Sequence, residues 1–249
     1  MLFFIIISNY VYSQDTTEVE YIFNDNASIY NSKLVFSDSI SIFTIYDTKI
    51  KERENDVVNT GKNISIKSFK PKSQNRTLLQ SDNDSLIYYN INLGERFYSV
   101  KEPKIKLNWV LKKETKTLLN YKCNSASLKF KDKEYTAYYT TEIPINEGPW
   151  KYRGLPGLIL EIKSLDNKID FKVSSIKQEK HFNRNDFLFK KNEMVSIETF
   201  KTLSFEDIKK RKRFLEFIAA ENEGSVETNF RNNHIDFTIT EFDKNEEEF

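Results

Sequence analysis

Apolar side chains recur at every second position in segment after segment of this chain. Val19, Tyr21 and Phe23 share one parity; so do Ile64 and Ile66, and Ile87, Tyr89 and Ile91. The pattern continues at Trp109 and Leu111, at Tyr135, Ala137 and Tyr139, at Ile169, Phe171 and Val173, and at Ile235, Phe237 and Ile239. Period-two alternation sends these residues to one surface of a pleated strand and the intervening Lys, Glu, Ser and Asn to the other. The 20 Phe and 13 Tyr suit such a half-buried surface. The spacing predicts a mainly β chain of about ten to twelve short strands. The expected architecture is a single strongly curved antiparallel sheet, half-barrel-like, with one helix packed on it from the C-terminal region.

Curvature is expected from two changes of parity. Ile40 and Ile42 alternate on one face before Phe43 and Ile45 take the other, and Cys123 and Ser125 give way to Ala126, Leu128 and Phe130. A one-residue slip within a strand is the sequence signature of a β-bulge, and bulges bend sheets.

Helical spacing occurs at Phe205, Ile208, Leu215, Ile218 and Ala219. Ser204 is the expected N-cap, with Asp207 in the capping-box position, and Gly224 the expected C-terminal stop. The helix carries five consecutive cations, Lys209 to Arg213, which read as a solvated face or as a contact for headgroups or an acidic partner. Residues 51–62 and 70–84 are polar and turn-rich and are expected to be loops; the tail after Phe242 carries no packing signal.

Leu2 to Ile7 form an apolar run that leads to Ser13, with small or short residues near the junction. This reads as a secretory signal peptide, residues 1–13, although no cation precedes the run. The run is too short to span a bilayer, which takes about 20 apolar residues. Residues 14–249 then form a single β domain with no transmembrane segment, in the periplasm, at the outer membrane, or secreted. The net charge of +1 argues against nucleic acid as a partner, which calls for a strongly basic face. Cys123 is the sole cysteine, so no intramolecular disulfide can form, and a buried thiol is expected.

Against this background, residues 144–157 concentrate three of the 5 prolines and three of the 6 glycines. Pro144 ends a strand because it cannot donate to the ladder, and Gly148-Pro149 makes a turn. Leu155-Pro156-Gly157-Leu158 has the residues of a type II turn, with Pro fixing φ and Gly supplying positive φ. Between these points lie Trp150, Lys151, Tyr152 and Arg153. Pointing inward, the two aromatics plug one end of the sheet; pointing outward, the four residues form an aromatic–cationic surface for a ligand or partner. Leu155 and Leu158 are buried in either case.

The string Gly154-Leu155-Pro156-Gly157-Leu158-Ile159 resembles the signature of the GLPGLI family, exported proteins of Bacteroidetes with no defined biochemical role. Trp109-Val110-Leu111, Tyr121-Lys122-Cys123 and the strand from Tyr135 to Pro144 resemble that family's flanking blocks, so the likeness covers about residues 105–175. Asn120 stands where the family usually has Gly and Tyr138 where Trp is common; Asn still tolerates positive φ. The resemblance implies an exported envelope protein and supplies no catalytic residues.

Three classes of function fit these readings. A binding module would take a lipid or other apolar ligand, a lipoprotein or an extended peptide in a concave aromatic face. An assembly partner would dock to an outer-membrane protein through Trp150–Arg153. A hydrolase would need paired carboxylates, but Glu142, Glu147, Glu161 and Asp166 are no denser than acids elsewhere. His181 and His234 stand outside any motif, so no catalytic residue, metal ligand or cofactor is expected.

Overall fold

The computed structural model describes residues 16–25, 28–37, 39–52, 75–93, 96–130, 133–179 and 194–221. Twelve strands form one sheet: β1 (Thr16–Asn24), β2 (Ser28–Ser37), β3 (Ile40–Glu52), β4 (Arg76–Ser81), β5 (Leu86–Leu93), β6 (Arg96–Pro103), β7 (Trp109–Leu118), β8 (Tyr121–Phe130), β9 (Lys133–Thr140), β10 (Leu158–Ser164), β11 (Asp170–Glu179) and β12 (Met194–Ser196). The helix α1 follows at Ile197–Glu221. Among the described strands the order across the sheet is β12-β6-β5-β4-β3-β2-β1-β11-β10-β9-β8-β7, open at both ends and not closed into a barrel. Two antiparallel meanders, β1 to β6 and β7 to β11, meet where β1 pairs with β11. β12 runs parallel to β6, so the sheet is mixed and not purely antiparallel as expected.

Cross-strand register aligns the alternating residues on one face. Phe23 stands opposite Tyr30 on β2 and Phe171 on β11, Leu34 opposite Phe43, and Leu78 opposite Tyr89. The rings of Phe23 and Phe171 stack at 4.2 Å, and Phe43 meets Phe171 edge-on at 5.8 Å. Val19, Tyr21, Phe23, Tyr89, Val100, Ala137 and Phe171 are all fully buried there. Sheet pairing and packing on this face hold the fold together.

The two parity switches have other causes than slips within their own strands. From Ile40 to Ile45, β3 pairs without interruption with both β2 and β4. Ser41, Ile42, Phe43, Thr44 and Ile45 are all buried, so here the strand is covered on both faces. In β8, Ser125 and Ala126 are both buried while pairing with β9 stays regular. The irregularity sits on its other neighbour, β7, between Leu111 and Thr115. Further register shifts occur at Glu20/Tyr21, around Tyr30, and between Ile159 and Glu161.

Other expectations shift as well. Within the stretch expected to be a loop, residues 76–81 form β4, with Leu78 and Gln80 on the buried face; a glutamine at a core position hid the alternation. α1 begins eight residues before Phe205. Its cap is Ser196, whose Oγ accepts the Thr199 amide at 3.2 Å. Ser204 is instead interior and donates to the Phe200 carbonyl at 2.9 Å, as a mid-helix serine does. Asn120 has φ of 69° beside Leu119 at 45°, the doubly positive pattern of a type I′ turn between β7 and β8. Cys123 is buried, and burial pushes its thiol pKa up. The N-terminal run 1–13, Ile64 and Ile66, both histidines, Gly224, Ile235–Ile239 and the acidic tail lie outside the described residues. No helix among the described residues is long and apolar enough to cross a membrane.

Candidate functional site

The segment between β9 and β10 folds back onto the buried face of the sheet. Two of its three prolines, Pro144 and Pro156, centre γ-turns, and the one at Pro156 replaces the type II turn expected there. Gly157 donates to Leu155 O at 2.8 Å across Pro156, and Ile145 donates to Ile143 O at 2.8 Å across Pro144. These i→i+2 bonds define γ-turns, and proline's φ near −65° makes them the inverse kind. Leu158 then donates to Ile143 O at 3.0 Å and Ile159 to Glu147 O at 3.0 Å, closing the base of the loop. A Cβ on Gly157 would overlap the Thr140 carbonyl, and one on Gly148 would meet Tyr152 O at 2.5 Å. Glycine at these two positions lets the backbones approach.

At the tip, Tyr152 donates to Pro149 O at 3.1 Å, closing a four-residue turn. Trp150, its first central residue, has φ of 54°, a sign pattern that glycine usually supplies in a II′ turn. A bulky side chain in this region costs about 1–2 kcal/mol, offset here by burial of the indole.

Trp150 and Tyr152 point inward, so the loop is a plug and its side chains form no exposed aromatic patch. Trp150 is 2 % exposed and lies edge-on to Phe43 at 6.4 Å and to Tyr89 at 5.9 Å. Tyr152 packs against Tyr135 at 5.3 Å and Phe171 at 6.3 Å. Burial drives the pKa of its phenol, and of Tyr21, well above the ordinary value. Tyr21 donates to Ile159 O at 2.7 Å. Leu155 and Leu158 are buried as expected.

Two cations of the plug enter the interior with partners. Lys151 pairs with Glu102 of β6 at 2.7 Å, and the Tyr89 hydroxyl donates to the same carboxylate oxygen at 2.8 Å. The ammonium also sits over the Tyr89 ring, 4.2 Å from its centroid. Arg153 is half-buried and reaches Glu147 at 3.1 Å, Asp82 at 3.0 Å and the Gln80 side-chain oxygen at 3.2 Å. Its own carbonyl accepts the Trp109 indole N–H of β7 at 2.9 Å. Burial raises the pKa of Glu147, with Arg153 opposing the shift. Burial lowers that of nearby Lys104, reinforced by repulsion from Arg153.

Gln80, Ile87, Lys104, Ile105, Leu107, Lys151 and Arg153 line a cavity of about 10 Å³, room for a single water. Trp150, Lys151 and Tyr152 are buried on the face that a concave aromatic cup would use. The cluster has balanced charges, with Glu102, Glu147 and Asp82 facing Lys151, Arg153 and Lys104. Of the carboxylates flagged in the sequence, only Glu147 joins it; Glu142 binds the Lys122 amide at 2.9 Å, Glu161 pairs with Lys116, and Asp166 accepts from Ser164 at 2.6 Å. No group of three or more His, Cys, Asp or Glu among the described residues could hold a metal. Glu102 and Gln80 were missed by sequence reasoning. Their signal was a polar residue two places from a core residue, Val100 and Leu78 respectively, on the buried parity.

Residues 128–161, which contain the plug, match the model of a family described as a protein of unknown function (Porph_ging). No curated protein matches the chain. Among solved structures, PNGF-II in two crystal forms superposes with TM-scores of 0.52, at 14 % and 16 % identity, over 78 % of this chain. These matches cover 33 % and 34 % of the PNGF-II chain, so this chain spans about a third of that protein's length. The likeness is one of fold. The Pseudomonas aeruginosa MucA/MucB complex aligns at TM-score 0.37 and 7 % identity, over 71 % of this chain and 56 % of that one.

Proposed function

We propose that the chain is an exported, non-catalytic binding module of the GLPGLI family that captures an extended peptide along the free edge of β7. The observation that carries this reading is the edge itself. β7 is ten residues long, ends the sheet order and pairs only with β8 among the described strands. Its outer backbone groups are matched by an added strand, with side chains setting specificity. Val110 and Leu111 are 57 % and 59 % exposed on this edge, where edge strands more commonly carry charge. Lys112 and Lys113 beside them favour a peptide with acidic residues.

The filled interior favours this site over a cup for an apolar ligand or a lipoprotein acyl chain. The burial of Trp150, Lys151 and Tyr152 disfavours docking through that loop. Strong curvature of the sheet is part of the proposal and rests on chain length. Residues 104–108 link β6 to β7, ten places apart in the order. A flat sheet would separate these strands by about 48 Å, whereas the link reaches about 21 Å at most. Contacts of Arg153 with both Trp109 and Asp82 support the same bend.

Export would be seen as a mature N-terminus at Gln14 in the native host. The binding test is hydrogen exchange on the full chain with acidic, β-branched peptides selected by display against it. Slowed exchange of β7 amides, and loss of binding in Val110→Lys/Leu111→Lys with an unchanged melt, are expected. Protection confined to another element, or binding that survives the double substitution, would refute the assignment.

A further inference from the structure

Among the described residues, α1 is anchored at its N-terminal end only. Ile197, Phe200 and Ser204 are buried, and its packing partners are β6 and β12. Beyond Ile208, itself half-buried, the described side chains turn outward. Lys209, Lys210 and Arg213 are exposed, and Phe214 and Phe217 are 58 % and 60 % exposed. The two phenylalanines are three residues apart and so share one helix face. From Lys209 to Glu221 five consecutive cations outnumber two carboxylates, Glu216 and Glu221.

We propose that this half of α1 seats on an anionic lipid surface. A solvated helix has no use for two largely exposed phenylalanines one turn from a block of five cations. At a membrane interface both features have partners: aromatic rings enter the boundary between headgroups and acyl chains, and cations meet lipid phosphates. An acidic protein partner would satisfy the cations alone. The described packing leaves these side chains available while the N-terminal half of the helix stays fixed to the sheet. The device is peripheral and reversible, since the helix does not span.

The test is co-sedimentation of the full chain with phosphatidylcholine vesicles, pure or with about one lipid in three replaced by phosphatidylglycerol. Binding to the anionic vesicles only, weakened by salt, is expected. Each cation removed should weaken it about five-fold, so Lys209→Gln/Lys210→Gln/Arg213→Gln should lose about a hundred-fold. Phe214→Ser/Phe217→Ser should lose at least about ten-fold while keeping the wild-type melt. Failure of the full chain to bind anionic vesicles would overturn the proposal, as would equal binding to pure phosphatidylcholine. Binding unaffected by both sets of substitutions would place the contact elsewhere and overturn it too.

Discussion

Trp150 offers the sharpest test of the plug, because burial and backbone geometry pull in opposite directions there. The indole is among the largest fully buried side chains of the described residues and touches two other rings. Replacing Trp150 with Ala should cost about 3–5 kcal/mol from lost transfer energy and the cavity left behind. Glycine removes slightly more volume, yet it relieves the φ of 54°, worth about 1–2 kcal/mol. Trp150→Gly should therefore be more stable than Trp150→Ala, the reverse of the usual ranking, in which glycine loses about 0.5–1 kcal/mol to alanine. Trp150→Phe should be the mildest, since it keeps a ring and removes an indole N–H that is buried without a hydrogen-bond partner among the described residues. Urea unfolding of the three variants, with midpoints compared at constant m, reads the order directly. An unchanged midpoint in Trp150→Ala would refute the plug. Alanine more stable than glycine would refute the strained turn while leaving the burial intact.

Two further outcomes follow from the buried charges. Lys151→Met should cost about 3–5 kcal/mol, because it leaves Glu102 buried without its cation, and adding Glu102→Gln should recover much of that loss in a double-mutant cycle by urea melts. Glu147 gives a pH signature: burial holds its folded pKa above the ordinary 4.5, so proton binding favours the fold. Its contribution is complete below pH 4.5 and is lost as pH rises through the folded value. Relative to Glu147→Gln, the wild type should therefore lose stability from pH 4.5 upward in a series of melts, and parallel profiles would sink this account.

The alternation from Val19 to Phe23, Ile87 to Ile91 and Tyr135 to Tyr139 was readable because each of these strands buries one face. It misled at Ile42 and Phe43, where both faces are covered and a change of parity carries no geometric meaning. At Gln80 and Glu102 the buried face admits polar groups because Arg153 and Lys151 arrive from a segment more than forty residues away. No local pattern contains that information. The helix start was missed for a similar reason: Ile197 and Phe200 are buried, Phe200 against Tyr98 of β6, and only that packing selects Ser196 over Ser204 as the cap. At Trp150 the sequence reading left inward and outward orientations open, and it is the fit between Phe43 and Tyr89 that decides.

The densest motif of the chain is thus spent on its interior. Gly148 and Gly157 permit backbone approach, Pro144 and Pro156 set the γ-turns, and Trp150 to Arg153 fill and neutralise the space under the sheet. A segment with these duties presents little surface to a ligand, so substitutions there act through stability, and the binding proposed above is to be tested where stability is indifferent. Val110 and Leu111 on β7, and Phe214 and Phe217 on α1, are large apolar side chains left largely exposed by this fold. Polar substitution at such positions should change the melt by no more than about 0.5 kcal/mol. A loss of binding at unchanged stability would separate recognition from folding in this chain, a separation that no substitution in the plug can provide.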